Sequence, residues 1–238
     1  MLLVPLIPWV IYYSIAKYAG WKHIELLRYL IPKIWASSLL RLLGVRIEVD
    51  GLENLDKYHV GPRVLFSNHN SRLDLYVLLA ASPVAFKSFW STRAHIMSEK
   101  FSTLLWVGRV LDLFFVHDKT NEKRTMLEFR KAREFVKRGN TLSLFPEGKF
   151  STDGHIGAFG IACTALAVAT HAVVQPVLIL GTAEYFEKPR NGASKQNVKV
   201  FFMPPQSTDN LVRSDRKWLA QELVARMNER LTVELRSQ

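Results

Sequence analysis

The sequence predicts an α/β domain with a mixed, largely parallel sheet flanked by helices, preceded by an apolar helical membrane-association segment at the amino terminus. Three observations carry this. From Val45 onward, short apolar runs of strand length alternate with stretches of helical periodicity. Several of those runs are apolar on successive residues, as strands covered on both faces are. No charged side chain occurs between Met1 and Ala16, in a chain that is 22% charged.

The opening run contains Trp9, Tyr12 and Tyr13. At ~1.5 Å per helical residue it reaches about 24 Å, short of the ~30 Å hydrocarbon core, so it is expected to enter a bilayer without crossing it. Its cations follow the run, at Lys17 and Lys22, where a cleaved signal peptide has an early basic region, and no small-x-small cleavage site is convincing, so the segment is expected to stay on the mature protein. Ile24 to Leu43 mixes Leu26, Leu27, Leu30, Ile31, Ile34, Trp35, Leu39 and Leu40 with Arg28, Lys33 and Arg41. That mixture suits a helix at headgroup level, kinked or split at Pro32, with its cations snorkelling outward. The alternative is that both segments pack on the domain as core helices. The expected division is therefore 1–43, a membrane-associating segment, and 44–238, the α/β domain, with the protein monotopic on the cytoplasmic face.

After Gly44, Val45, Ile47 and Val49 alternate with Arg46, Glu48 and Asp50, a half-exposed strand ended by Gly51. Val64 to Phe66 forms a buried strand, and Leu73 to Ala81 a helix that stops before Pro83. Leu113 to Val116 is a strand, Asn121 to Arg138 a helix closed by Gly139, and Leu142 to Phe145 another strand. Gly160 to His171 is a small-residue helix, followed by strands at Val173 to Leu180 and Val198 to Met203. Ser214 to Arg236 carries Leu219, Leu223, Met227 and Leu231 at four-residue intervals, an amphipathic packing helix.

The composition narrows the function classes. A chain of 238 residues with 48% hydrophobic content is neither disordered, collagen-like nor polytopic. A formal charge of +11 points to an anionic partner: phosphorylated substrate, acidic carrier, anionic lipid or nucleic acid. Nucleic acid is disfavoured because no recognised binding module accompanies the charge. The single cysteine, Cys163, excludes an internal disulfide framework and a cysteine-built zinc site. Neither a His-Glu-x-x-His helix, a Gly-x-Ser-x-Gly elbow nor a phosphate-binding P-loop occurs, so no metal and no resident cofactor are expected.

The most informative stretch is Ser67-Asn68-His69-Asn70-Ser71-Arg72-Leu73-Asp74, which follows a buried strand and enters a helix. Ser71 and Asp74 have capping-box spacing, with Ser71 as N-cap and Asp74 at the third helical position. Were His69 also helical, five steps of ~100° would leave it about 140° from Asp74. Lying two residues outside the helix, it can fold back and offer one ring nitrogen to the carboxylate, leaving the other as a general base. The bland alternative is a capping aspartate beside a loop histidine. Ser71 is the weaker candidate nucleophile, given its capping role. A second constellation, Phe145-Pro146-Glu147-Gly148-Lys149, follows another strand. Ligands bind at strand carboxyl ends in α/β sheets, so both segments should open on one crevice.

Together the two segments resemble the glycerolipid acyltransferase family, in which lysophosphatidic acid acyltransferase is the familiar member. Its Asn-His-x-Ser-x-x-Asp block is matched by Asn68, His69, Ser71 and Asp74, and its Phe-Pro-Glu-Gly block by Phe145 to Gly148. Pro176, within an apolar strand, resembles a later block. The resemblance implies transfer of a fatty acyl group from a thioester, acyl-CoA or acyl carrier protein, to a hydroxyl of a lysolipid, a step of phospholipid biosynthesis. By that likeness His69 deprotonates the acceptor, Asp74 orients His69, and Glu147 and Gly148 help hold the acceptor. Asn68, Ser71, Arg72, Lys119 and Lys149 complete the candidate substrate-binding set. A thioester is already activated, so a base and oxyanion donors suffice without a metal.

The likeness is incomplete at its cationic positions. Asp118 stands at or beside the expected phosphate-binding arginine, with Lys119 or Arg109 as possible substitutes, and Phe150 stands where another arginine is usual. Lys149 is a point charge without the arginine fork. The acceptor is therefore lysophosphatidic acid or a hydroxylated lipid without a phosphate monoester, such as a lyso-aminolipid; a catalytically silent lipid-binding relative and a thioesterase are the other readings. On the helix from Asn121, Lys123, Arg124, Arg130, Lys131, Lys137 and Arg138 share an arc of about 140°, opposite Met126, Phe129, Ala132, Phe135 and Val136. That arc is either a solvated face or a dock for anionic lipid, coenzyme A phosphates or an acidic carrier.

Overall fold

The structure, a computed structural model, describes residues 8, 11, 12, 15, 18, 24–55, 61–84, 86–92, 114–117, 122–151, 155–183 and 196–236. Its elements run α1 (Ile24–Leu42), β1 (Val45–Asp50), β2 (Arg63–Ser67), α2 (Asp74–Ala81), β3 (Lys87–Thr92) and β4 (Phe114–His117). Then follow α3 (Glu122–Lys137), β5 (Thr141–Leu144), α4 (Ile161–Ala169), β6 (Val173–Leu180), β7 (Gln196–Phe202) and α5 (Arg216–Arg236). The seven strands form one sheet in the order β1-β7-β6-β2-β5-β3-β4. All neighbours are parallel except β6 and β7, the antiparallel pair that makes the sheet mixed.

Strand parity divides the core into two layers. Val64, Phe66, Leu142, Leu144, Val174 and Leu178 face α3, α4 and α5, where they meet Ala132, Val136, Leu166, Leu219, Leu223 and Met227. Leu65, Val177, Ile179, Val198 and Val200 face the other way, onto Leu40 of α1 and Val77 and Leu78 of α2. Every side chain of β2 is buried, which is why its sequence shows an apolar run without alternation. Burying each large aliphatic side chain contributes roughly 1.5–3 kcal/mol before the ordering cost is subtracted.

The element boundaries follow local chemistry. Helix α2 ends at Ser82, whose backbone is extended, because the residue before Pro83 disfavours the helical region. Helix α3 is followed by Gly139 at φ 83°, a conformation that glycine adopts without a Cβ penalty. Helix α1 continues through Pro32 where the sequence suggested a kink or split. Its second half packs on the domain: Ala36 and Leu40 are buried, and Trp35 meets Tyr76 edge to face at 5.3 Å. The Lys33 ammonium donates to the Ser82 carbonyl at 2.8 Å, so this cation caps α2. Burial also raises the Tyr76 hydroxyl pKa above its ordinary value.

Strand β3 was not anticipated; Lys87–Thr92 mixes polar and aromatic residues and offers no apolar run. On α3, Ala132 and Val136 are buried as expected, whereas Met126, placed on the buried side by the sequence, is 60% exposed. The cations of α3 are on its exposed side, and some are paired locally, Lys131 with Glu128 at 2.7 Å and Lys137 with Glu134 at 3.7 Å. Positions 8, 11, 12 and 15 of the opening run are helical; its other residues lie outside the described set. Among the described residues, no helix is long and apolar enough to cross a membrane.

Candidate active site

Strands β2 and β5 are parallel neighbours with Phe66 opposite Leu144. Three residues beyond those partners lie His69 and Glu147, so equal overhangs from paired strands bring the two motifs to one edge of the sheet. They are joined there: the His69 amide donates to Glu147 Oε1 at 3.0 Å, and the Ser151 amide donates to the His69 carbonyl at 2.8 Å. Asn68 extends the pairing to β6. Its Nδ2 donates to the Ile179 carbonyl at 2.8 Å and its Oδ1 accepts from the Ile179 amide at 2.7 Å, as a strand residue would.

The His69 ring folds back onto α2, with Nδ1 at 2.9 Å from Asp74 Oδ2. A carboxylate can only accept, so Nδ1 carries a proton, and in the neutral ring Nε2 then presents its lone pair. Among the described residues Nε2 has no hydrogen-bond partner. The Asp74 side chain is fully buried, while that of His69 is 23% exposed, so one end of the pair is fixed and the other is reachable. Asp74 Oδ2 also accepts from the Asn70 amide at 2.7 Å and the Ser71 amide at 2.8 Å, and Oδ1 accepts from the Thr182 hydroxyl at 2.5 Å. Four donors offset the desolvation of the buried carboxylate.

Ser71 is buried, and its Oγ accepts from the Leu73 amide at 3.2 Å. Only half of the expected capping box is present: Asp74 Oδ2 accepts from the Ser71 amide, but the Asp74 amide donates to the Ser71 carbonyl at 3.2 Å and not to its hydroxyl, and α2 proper begins at Asp74 with Leu73 as its N-cap. Arg72 is exposed on the turn entering α2, and Lys149 is exposed beyond the glutamate turn. Lys119, with Asp118 and Arg109, lies outside the described residues.

Glu147 is occupied by the chain itself. Besides the His69 amide on Oε1, its Oε2 accepts from the Ser151 hydroxyl at 2.5 Å and the Gly157 amide at 2.8 Å. Gly148 closes the turn at φ 67°, its amide donating to the Phe145 carbonyl at 3.1 Å. The His69 ring lies between two aromatic side chains: Phe145 stacks on it at 4.2 Å with an interplanar angle of 23°, and Phe150 approaches at 4.4 Å and 55°. Phe150, which the family likeness marks only as a missing arginine, is here a wall of the histidine pocket.

Thr182, Ser151 and Gly157 were not identified from the sequence. Thr182 is 108 positions from Asp74, and no local pattern marks it. Ser151 lies close to the Phe-Pro-Glu-Gly turn in sequence, but its bond to Glu147 depends on the loop's path. Among the described residues, no group of three or more His, Cys, Asp or Glu side chains could hold a metal ion.

A family model described as acyltransferase matches residues 46–180, which include both motifs and β6. The chain is 28% identical over 198 residues to a chloroplastic 1-acyl-sn-glycerol-3-phosphate acyltransferase of Arabidopsis thaliana, covering 81% of this chain and 53% of that protein. It is 25% identical over 186 residues to the alpha 1-acyl-sn-glycerol-3-phosphate acyltransferase of Mus musculus, covering 75% and 61%. The chain thus spans between half and two thirds of the length of these relatives. The crystal structure of the 1-acyl-sn-glycerophosphate acyltransferase PlsC from Thermotoga maritima has the same fold, with a TM-score of 0.66 at 22% identity over 98% of each chain. With more than half of its length matched by the family model, the chain belongs to the acyltransferase family.

Proposed function

We propose that the protein is a membrane-associated O-acyltransferase that moves a fatty acyl group from an acyl thioester, acyl-CoA or acyl carrier protein, to a hydroxyl of a lysolipid such as lysophosphatidic acid. The observation that carries this is His69: Nδ1 is tied to a fully buried aspartate, and Nε2, at the edge where both motifs meet, has no partner among the described residues. Nε2 takes the hydroxyl proton as the acceptor oxygen attacks the thioester carbonyl carbon. Collapse of the tetrahedral adduct breaks the carbon–sulfur bond, and the imidazolium returns its proton to the leaving sulfur, giving an ester and a free thiol. Asp74 holds the correct tautomer and stabilises the imidazolium. Glu147 and Gly148 contribute by holding the loop against His69, and Phe145 and Phe150 limit rotation of the ring.

The membrane part of the proposal is supported by the amino terminus. Ile11, Tyr12, Ile15 and Tyr18 are exposed, and at ~100° per residue they occupy an arc of about 120°. An exposed apolar and aromatic stripe of this kind suits the interfacial region of a bilayer.

Phe150 supports a second reading of the acceptor. An aromatic side chain packed on the histidine, where the likeness calls for a phosphate-binding arginine, favours an acceptor without a phosphate monoester. The test is thiol release by purified protein given an acyl thioester with no acceptor, with lysophosphatidic acid, or with an uncharged monoacyl lipid. Release only with lysophosphatidic acid supports the first reading, and release only with the uncharged lipid supports the second. Equal release without acceptor indicates a thioesterase, and no release in any arm a silent lipid-binding relative.

A further inference from the structure

We propose that Thr182 is a positioning residue for the His69–Asp74 pair, holding Asp74 from outside the motif that contains it. The inference rests on the reading of His69 as the base. Asp74 receives its three other hydrogen bonds on Oδ2, all from residues 69–71. Those donors belong to the same short segment as the base and move with it. Among the described residues, Oδ1 is held only by Thr182, two residues beyond the end of β6. Thr182 is fully buried, as is Asp74, so no solvent is at hand to replace the hydroxyl.

The anchor is itself fixed. Gly181, at φ 88°, sets the direction of the chain into Thr182, and a Cβ there would meet the Asn197 carbonyl oxygen at 2.5 Å. That close approach locks the end of β6 against the start of β7. Three residues before Thr182, Ile179 holds Asn68 through two hydrogen bonds. The end of β6 therefore grips the motif on both sides of His69, at Asn68 and at Asp74. Loss of the Thr182 hydroxyl leaves Oδ1 buried without a donor. The carboxylate can then turn toward another partner, which weakens its hold on the imidazole without removing any group that contacts substrate.

The test compares Thr182→Val, which keeps the shape and removes the hydroxyl, with Thr182→Ser, which keeps the hydroxyl. The expected result for Thr182→Val is a fall in kcat of about 10- to 100-fold, equivalent to ~1.4–2.7 kcal/mol at about 1.36 kcal/mol per tenfold, with KM for donor and acceptor within about twofold. Thr182→Ser is expected to retain kcat within a fewfold. A second readout is the His69 Nδ1 proton observed by NMR, which should exchange faster with water in Thr182→Val and at the wild-type rate in Thr182→Ser. Wild-type kcat and an unchanged Nδ1 proton in a folded Thr182→Val protein would overturn the proposal. So would equal losses in both variants, which would trace the effect to packing. A fully active His69→Ala variant would instead remove the base reading, while the Nδ1 exchange would still decide whether Thr182 controls the pair.

Discussion

The backbone amide of His69 donates to the carboxylate of Glu147 across 78 positions of sequence, so the two motifs form one hydrogen-bonded unit. Glu147→Gln puts an amide nitrogen, a donor, among three donors and leaves at least one of them without an acceptor. The variant is expected to lose about 1–3 kcal/mol of stability and to lose turnover, both measured against the wild type by urea unfolding and thiol release. Unchanged stability and turnover would show that Glu147 does not brace His69.

Gly148 and Gly181 both have positive φ, yet alanine should affect them very differently. At Gly148 an added Cβ meets nothing within 4 Å, so only the left-handed backbone is penalised, by about 1–2 kcal/mol. At Gly181 the same strain is joined by the 2.5 Å clash with the Asn197 carbonyl, which must displace β6 or β7. Urea unfolding is expected to rank Gly181→Ala well below Gly148→Ala, and only Gly181→Ala should also disturb Asp74 through Thr182. The reverse ranking would contradict this packing.

Burial pushes the Cys163 thiol up from its ordinary 9.0 to about 12. The thiolate is the reactive form, so at pH 8 the folded protein should react with alkylating reagents far more slowly than the unfolded chain. The linkage has a definite sign. Above pH 9 the unfolded chain binds fewer protons at this group than the folded one, so its contribution to stability, fully present below pH 9, is lost as pH rises toward 12. Rapid labelling of the native protein at pH 8 would contradict this. Slow labelling also means that the protein's own thiol adds little to a thiol-release assay.

Much of this was legible in the sequence, for identifiable reasons. Strand β2 was visible as a short apolar run buried on both faces, and helix α5 because burial of one face imposes a period, as in Leu219, Leu223, Met227 and Leu231. The meeting of His69 and Asp74 could be inferred because both belong to one strand-to-helix turn. Thr182 could not, since its contact depends on the placement of β6 beside β2 and leaves no local pattern. Strand β3 was invisible because its residues do not alternate. The mixture of apolar residues and cations in α1 suits either an interfacial helix or a packed one; in the structure Lys33 turns inward to a carbonyl and Leu40 enters the core. Composition alone does not separate an interfacial helix from a packed one.

The proposed membrane attachment combines apolar insertion with basic side chains, so salt should release it only in part. At about 1 M salt the Debye length falls to about 3 Å and the headgroup attraction is screened, while the apolar contribution persists. Protein bound to vesicles containing anionic lipid is expected to stay largely with the pellet in high salt and to leave it in detergent. Complete release by salt alone would show that the exposed Ile11, Tyr12, Ile15 and Tyr18 do not insert.

The most direct test of the central claim is turnover by His69→Ala, read as thiol release from an acyl thioester in the presence of a hydroxylated lysolipid, alongside its urea unfolding curve. Alanine removes the ring's contacts with Asp74, Phe145 and Phe150 but keeps the backbone amide and carbonyl that join His69 to Glu147 and Ser151, so the variant should remain folded with some loss of stability. Removal of a general base is expected to lower kcat by about 10²–10⁴-fold. A folded His69→Ala protein that turns over at the wild-type rate would contradict the proposal that His69 is the base.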